Sequence, residues 1–269
     1  MELKRIALGI QYDGKPWQGW QSQPHGHTVQ DQLELALQHI ATHPVKLACA
    51  GRTDAGVHAL EQIAHFDTDA QRPLSSWVRG VNAHLPDSIA VRWSAELPEI
   101  LSGEQEFHSR FSATARSYHY VLYNHPVNSP LLAGRVGWVF RPLDEHKMRA
   151  AAQYLLGEHD FSAFRAASCQ AKTPVKLMHS ISIRRQGNLI YCSLRASAFL
   201  HHMVRNIIGS LIVVGMGQEQ PEWLQQVLQS CDRSIAAPTF MPDGLYLARV
   251  DYDPKWCLPQ QVSAENWFA

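Results

Sequence analysis

The sequence has no Cys-x-x-Cys pair. Its five cysteines, Cys49, Cys169, Cys192, Cys231 and Cys257, are scattered and odd in number. That spacing argues against a zinc site and a disulfide frame, and for free thiols in a reducing cytoplasm. No stretch approaches the roughly 18 apolar residues that would suggest a membrane span. The N-terminus, MELKRIALGIQYDG, alternates rather than running apolar, so it does not read as a signal peptide. Histidine is plentiful, fifteen in all, yet no HExxH or comparable spacing occurs. Adjacent His201 and His202 would diverge on a helix, so no metal is expected. The GK[ST] of a phosphate loop is missing, and the aspartate of GRTDAGVHA has no Asp-x-Asp partner of the kind expected for phosphoryl-aspartate chemistry.

Net charge is lacking as well, with 24 Lys and Arg against 24 Asp and Glu. The distribution is uneven, however. Residues 1–105 carry 8 basic and 12 acidic residues, and 106–269 carry 16 and 12. Residues 107–143 hold four arginines and no acid, and 161–218 hold seven basic residues and no acid. A solvated surface normally mixes both signs, so long acid-free stretches with spaced arginines suggest a face turned toward a polyanion such as RNA.

What is present is a clear succession of elements. KRIALGIQY alternates with period two and predicts a strand. Thr28 and Asp31 make a capping-box-like start to a helix over VQDQLELALQHIATH, with Val29, Leu33, Leu37 and Ile40 on its buried stripe. VKLACAG and QIAHFDT read as strands, Pro73 starts a helix through Trp77 and Val81, and SIAVRWSAEL is again a strand. Residues 1–97 therefore read β-α-β-β-α-β. TARSYHYVLYN and GRVGWVF are strands, and DEHKMRAAAQYLLG is a helix ending at Gly157. LMHSISIRRQ and NLIYCSLRA form a hairpin at Gly187. Two helices, HHMVRNIIGSLIVVGMG and PEWLQQVLQS, and a last strand, GLYLARVDY, complete the chain. The expectation is an α/β (α+β) protein of two ferredoxin-like, split-βαβ halves, with a central mixed or antiparallel sheet and a cleft between the halves. The expected halves are 1–105 and 106–269, divided in the segment 98–110.

Three segments carry candidate chemistry. In GRTDAGVHA, Arg52 and Asp54 are two apart on extended chain and can emerge on one face, with a guanidinium beside an ionised carboxylate. Such an aspartate can be nucleophile, general base, metal ligand or structural anchor. In TARSYHY, Tyr118 and Tyr120 share a strand face with Arg116, the composition of a base-stacking platform or of ordinary core packing. In SAFLHHMVRNIIGS, an apolar helix carries Arg205, which needs an anionic partner. Asp54 is the natural candidate for that partner.

Together, and in this order, GRTDAGVHA, ARSYHY and FLHHMVRNIIGS resemble the motifs of TruA-type tRNA pseudouridine synthases. YDGKPWQGWQ and GLYLARVDY are similar to that family's end blocks, with Trp17 where Phe or Tyr is expected. The resemblance implies conversion of uridine to pseudouridine at positions 38 to 40 of the tRNA anticodon stem-loop, without cofactor, by a cytoplasmic homodimer. It implies that Asp54 is the nucleophile, that Arg52 assists base flipping, that Tyr118 stacks on the uracil and that Arg205 pairs with Asp54. Three alternatives remain beside it: a non-catalytic RNA-binding protein of two split-βαβ units, a synthase acting on ribosomal RNA, and a metal-dependent hydrolase built on Asp54 and His58.

Overall fold

Period-two alternation makes Lys4–Tyr12 a strand, β1, and Thr28 caps the first helix, α1 (Val29–Ala41). The cap works as the pattern implies: the Thr28 hydroxyl accepts the Asp31 N–H at 3.3 Å and donates to the Asp31 carboxylate. The computed structural model describes residues 3–98 and 106–259. Then follow β2 (Ala48–Cys49), β3 (His58–Thr68), α2 (Leu74–Asn82) and β4 (Ile89–Glu96). β1 pairs antiparallel with β3 and with β4, and β2 pairs antiparallel with β3. The resulting order β4-β1-β3-β2 is that of a split βαβ unit. Phe66 on β3 meets Trp77 on α2 edge to face at 5.2 Å, and Leu8, Leu33 and Leu37 are fully buried.

Two details differ from the sequence reading. Only Ala48–Cys49 of VKLACAG is strand. Along α1, Ile40 is half-buried, while Ala36 and Ala41 lie in the core, because the buried stripe is narrower than the spread of apolar residues.

The second set of elements is β5 (Ala113–Asn124), β6 (Gly137–Val139), α3 (Glu145–Ala152), β7 (Gly157–Asp160), β8 (Val175–Gln186), β9 (Leu189–Ala196), α4 (Met203–Gly215), α5 (Glu222–Ser230) and β10 (Leu245–Tyr252). β9 pairs antiparallel with β5 and β8, β7 pairs antiparallel with β8, and β6 runs parallel to β5. Strand β9 lying between β5 and β8, with α3 connecting them, is again the split-βαβ arrangement. Short β7 has no alternating signature and is not foreseen from sequence. Among the described residues no helix is long and apolar enough to cross a membrane.

The chain divides into two compact units, Met1–Thr114 with Leu247–Ala269, and Ala115–Tyr246. The boundary expected after residue 105 borders the segment 99–105, which lies outside the described residues. The mixed α/β class, with a split-βαβ sheet in each unit, follows from these pairings.

Candidate active site

Strand β2 ends at Cys49, and the chain then crosses Gly51 to Asp54 without regular structure. Side chains alternate here as on extended chain: Arg52 is exposed, Thr53 buried and Asp54 half-buried. Arg52 and Asp54 therefore leave the same side of the loop, with Thr53 turned inward to share a 2.7 Å hydrogen bond with the Tyr12 hydroxyl.

A loop without secondary structure has its backbone groups satisfied elsewhere, and several of them here have identifiable partners. Gln62, fully buried on β3, brackets Gly51: its Nε2 donates to the Gly51 carbonyl at 2.5 Å and its Oε1 accepts the Gly51 N–H at 3.3 Å. The Ala50 N–H donates to the Ile63 carbonyl at 2.7 Å, and the Trp20 N–H to the Thr53 carbonyl at 3.0 Å. Past the aspartate, the Val57 N–H closes a turn onto the Asp54 carbonyl at 3.1 Å, and the Gly56 N–H reaches the Trp17 carbonyl at 3.3 Å.

YDGKPWQGWQ is thus the cradle of the loop. Gly19 has φ +85°, and a Cβ there would come within 2.8 Å of the Thr53 carbonyl oxygen, so only glycine fits. Trp17 and Trp20 are buried beside it. Nδ1 of buried His58 accepts the Gly14 N–H at 3.0 Å, with Asp13 Oδ1 at 3.1 Å. Because one nitrogen cannot accept from the amide and donate to the carboxylate at once, the amide contact fits an unprotonated Nδ1. His58 thereby holds the 13–14 turn against the start of β3.

Tyr118 and Arg205 belong to the second unit. Tyr118 sits on β5 opposite Leu194, on the same buried face as Arg116 and Tyr120. Its ring meets Phe199 edge to face at 5.0 Å. Neighbouring Tyr120 is locked by donating to the Met241 carbonyl at 2.7 Å, and burial drives its phenol well above the ordinary value. Arg116 donates to the Ser197 carbonyl at 3.2 Å.

Arg205 lies in the first turn of α4 and is half-buried, and its Nε donates to the Phe240 carbonyl at 2.8 Å. The next residue explains how that carbonyl is placed. Asn206, fully buried, donates to the Phe164 carbonyl at 2.8 Å and accepts from the Thr239 hydroxyl at 2.6 Å and from Arg233 at 3.1 Å. Gly209 completes the fit, because a Cβ there would collide with the Pro238 carbonyl. His202, just before the helix, adopts φ 62°, an uncommon conformation for a residue with a side chain.

The first unit therefore unites Arg52 and Asp54 on one pinned loop, and the second carries Tyr118 and Arg205 on regular elements. Sequence reading missed Gln62, Asn206 and Gly209 as positioning residues. For the two amides the available signal was a polar residue inside a largely apolar strand or helix, and for Gly209 a glycine inside an apolar helix.

The chain matches the family model described as tRNA pseudouridine synthase over residues 9–112 and 151–253. It is 64% identical over 259 residues to the tRNA pseudouridine synthase A of Janthinobacterium sp. (strain Marseille), covering 96% of each chain. It is 63% identical to that of Herminiimonas arsenicoxydans, covering 96% of this chain and 93% of the relative. To that of Paraburkholderia xenovorans (strain LB400) it is 57% identical, covering 98% and 96%.

Proposed function

The chain belongs to the tRNA pseudouridine synthase family, and from that premise we propose that it isomerises uridine to pseudouridine at positions 38 to 40 of the anticodon stem-loop, with Asp54 as its reactive carboxylate. The observation that carries the assignment of the carboxylate is its setting. Asp54 is half-exposed at the centre of a loop whose backbone is held on both sides, inside the matched segment.

The reaction breaks the N1–C1′ bond of uridine, turns the uracil and forms a C5–C1′ bond. A proton leaves C5 and one is gained at N1, so atoms and electrons balance without a cofactor. An ionised carboxylate can start this by attack on C6 or on C1′, or by taking a proton next to C1′. None of this is possible within a base stack, so the nucleotide is extruded first, at a cost of a few kcal/mol. Exposed Arg52, two residues from Asp54, is the proposed flipping residue, filling the space the base leaves. Tyr118 is the proposed stacking partner of the uracil and Arg205 the proposed countercharge of Asp54.

Acting at several neighbouring positions requires reading RNA by shape and backbone, which suits spaced arginines in acid-free stretches. A homodimer, in which a second copy extends the basic surface along the tRNA, is part of the proposal. The cytoplasm is the proposed compartment, since the substrate is tRNA.

The test uses an unmodified tRNA transcript with uridines at 38 to 40, wild-type protein, Asp54→Ala and a chelator. Pseudouridine is mapped by chemical labelling and primer extension. Stops at those positions with wild type alone are expected. Retained tRNA binding by both proteins with stops from neither would favour a non-catalytic RNA-binding protein.

A further inference from the structure

Residues 107–112, FHSRFS, form a turn in the first unit that the proposed chemistry does not use. Its odd-looking feature is Phe111, a large aromatic 69% exposed, between Arg110 and Ser112. The ring is not loose decoration. His108 lies against it with ring centroids 4.4 Å apart and planes tilted by 37°, and the Arg110 guanidinium carbon is 5.8 Å from its centroid.

The turn is built from inside. Phe107 is buried against Tyr252 and Trp256, with centroids 5.2 Å apart in each case. Ser109 is fully buried, and its carbonyl accepts the Tyr252 hydroxyl at 2.6 Å. Its N–H donates to Nδ1 of His65 at 3.2 Å. Its hydroxyl donates to the Ala48 carbonyl at 2.6 Å, on the two-residue strand that leads into Gly51–Asp54. The turn and the Asp54 loop therefore hang from one strand.

Each also brings a cation close enough to that strand to act on Cys49. Burial pushes the Cys49 thiol up to about 12 against the pull of two nearby guanidinium groups, Arg52 and Arg110. An exposed ring, a guanidinium beside it and a second guanidinium toward the reactive loop match what single-stranded RNA asks of a protein: a flat face for a base and positive charge for phosphates.

We propose that Phe111, braced by His108 and Arg110, is a stacking ledge for an unpaired nucleobase of the RNA substrate next to the uridine being modified. This rests on the reading of the protein as an RNA-modifying enzyme. It adds a binding subsite outside the Asp54 loop and its cradle. Phe111 holds a neighbouring base and touches no reacting atom, so it governs affinity and leaves the chemical step alone.

The test compares Phe111→Ala, Phe111→Leu and Phe111→Tyr with wild type, using an anticodon stem-loop RNA. Affinity is measured by fluorescence anisotropy, the rate by single turnover at saturating RNA, and the oligomeric state by sedimentation. Loss of one stacked base weakens binding by about five- to hundred-fold. That loss is expected for the Ala and Leu variants, with recovery in Tyr and an unchanged saturated rate. An Arg110→Ala variant should flatten the salt dependence of binding by about one phosphate contact. Equal affinity for wild type and the Leu variant would overturn the ledge. So would a Leu variant whose only change is its sedimentation, since Phe111 would then face a second copy of the chain. Wild type that binds this RNA but forms no pseudouridine would overturn the enzymatic reading separately, because the affinity comparison needs no turnover.

Discussion

The two candidate regions are held in place by different means. The Gly51–Asp54 loop has no regular structure, and its position comes from backbone hydrogen bonds to Gln62, Ile63, Trp20 and Trp17. Tyr118 and Arg205 sit on a strand and a helix, and regular structure fixes them: Tyr118 is 8% exposed and packs against Phe199, and Arg205 donates from the first turn of α4 to the Phe240 carbonyl. The contrast has a chemical sense. A carboxylate that must reach an extruded nucleotide needs an exposed side chain on an immobile backbone, which hydrogen bonds can supply without covering the side chain. A ring that cages a base needs an apolar wall, and burial on a strand supplies it.

Apart from loss of the Asp54 carboxylate itself, the largest effect should come from the packed region. Tyr118→Ala removes the proposed stacking face and should lower the single-turnover rate at subsaturating RNA by about five- to hundred-fold, whereas Tyr118→Phe should retain most of the binding. Equal loss in both variants would mean that the hydroxyl, not the ring face, matters.

Next come the two buried amides. Gln62→Leu leaves the Gly51 N–H and carbonyl unpaired, and should cost about 1–3 kcal/mol in urea unfolding while also lowering kcat. Asn206→Leu strips partners from Phe164 and Thr239, with a similar cost. Gln62→Leu should harm turnover beyond its effect on stability, because the loop is held by hydrogen bonds that packing does not replace. A Gln62→Leu protein of reduced stability and full kcat would break that contrast.

The smallest effect is a pH dependence. Burial, then the charges of Arg5 and His108, depress His65 to about 4 against an opposing pull from Asp67. A base depressed in the fold contributes stability above its ordinary value near 6.5, and that contribution is lost as pH falls from there toward 4. Protonation at Nδ1 would displace the Ser109 N–H. We expect the melting temperature of wild type to fall more than that of His65→Asn between pH 6.5 and 4. Parallel curves would contradict the assignment.

Local pattern explains what was legible in the sequence. Alternation marked β1 and β5, Thr28 and Asp31 marked the start of α1, and Gly187 marked the β8–β9 hairpin, with φ +58°. The Arg52–Asp54 alternation around an inward Thr53 was also visible, since it depends on three consecutive residues. What escaped depends on partners distant in sequence. Gln62 reaches back to Gly51, Asn206 forward to Thr239, and Ser109 across to Ala48, and none of these links leaves a periodic trace. Strands as short as β2 and β7 are defined by a neighbour's hydrogen bonds rather than by their own residues.

The most direct measurement is the single-turnover rate of Asp54→Asn on an anticodon stem-loop RNA, read beside its affinity for the same RNA. Asparagine keeps the shape of the side chain and removes its charge and basicity. The rate should fall at least about 1,000-fold with affinity near that of wild type, as expected when a group acts in the reaction rather than in binding. A rate within a few-fold of wild type would contradict it, and the carboxylate at the centre of the pinned loop would then be a structural anchor.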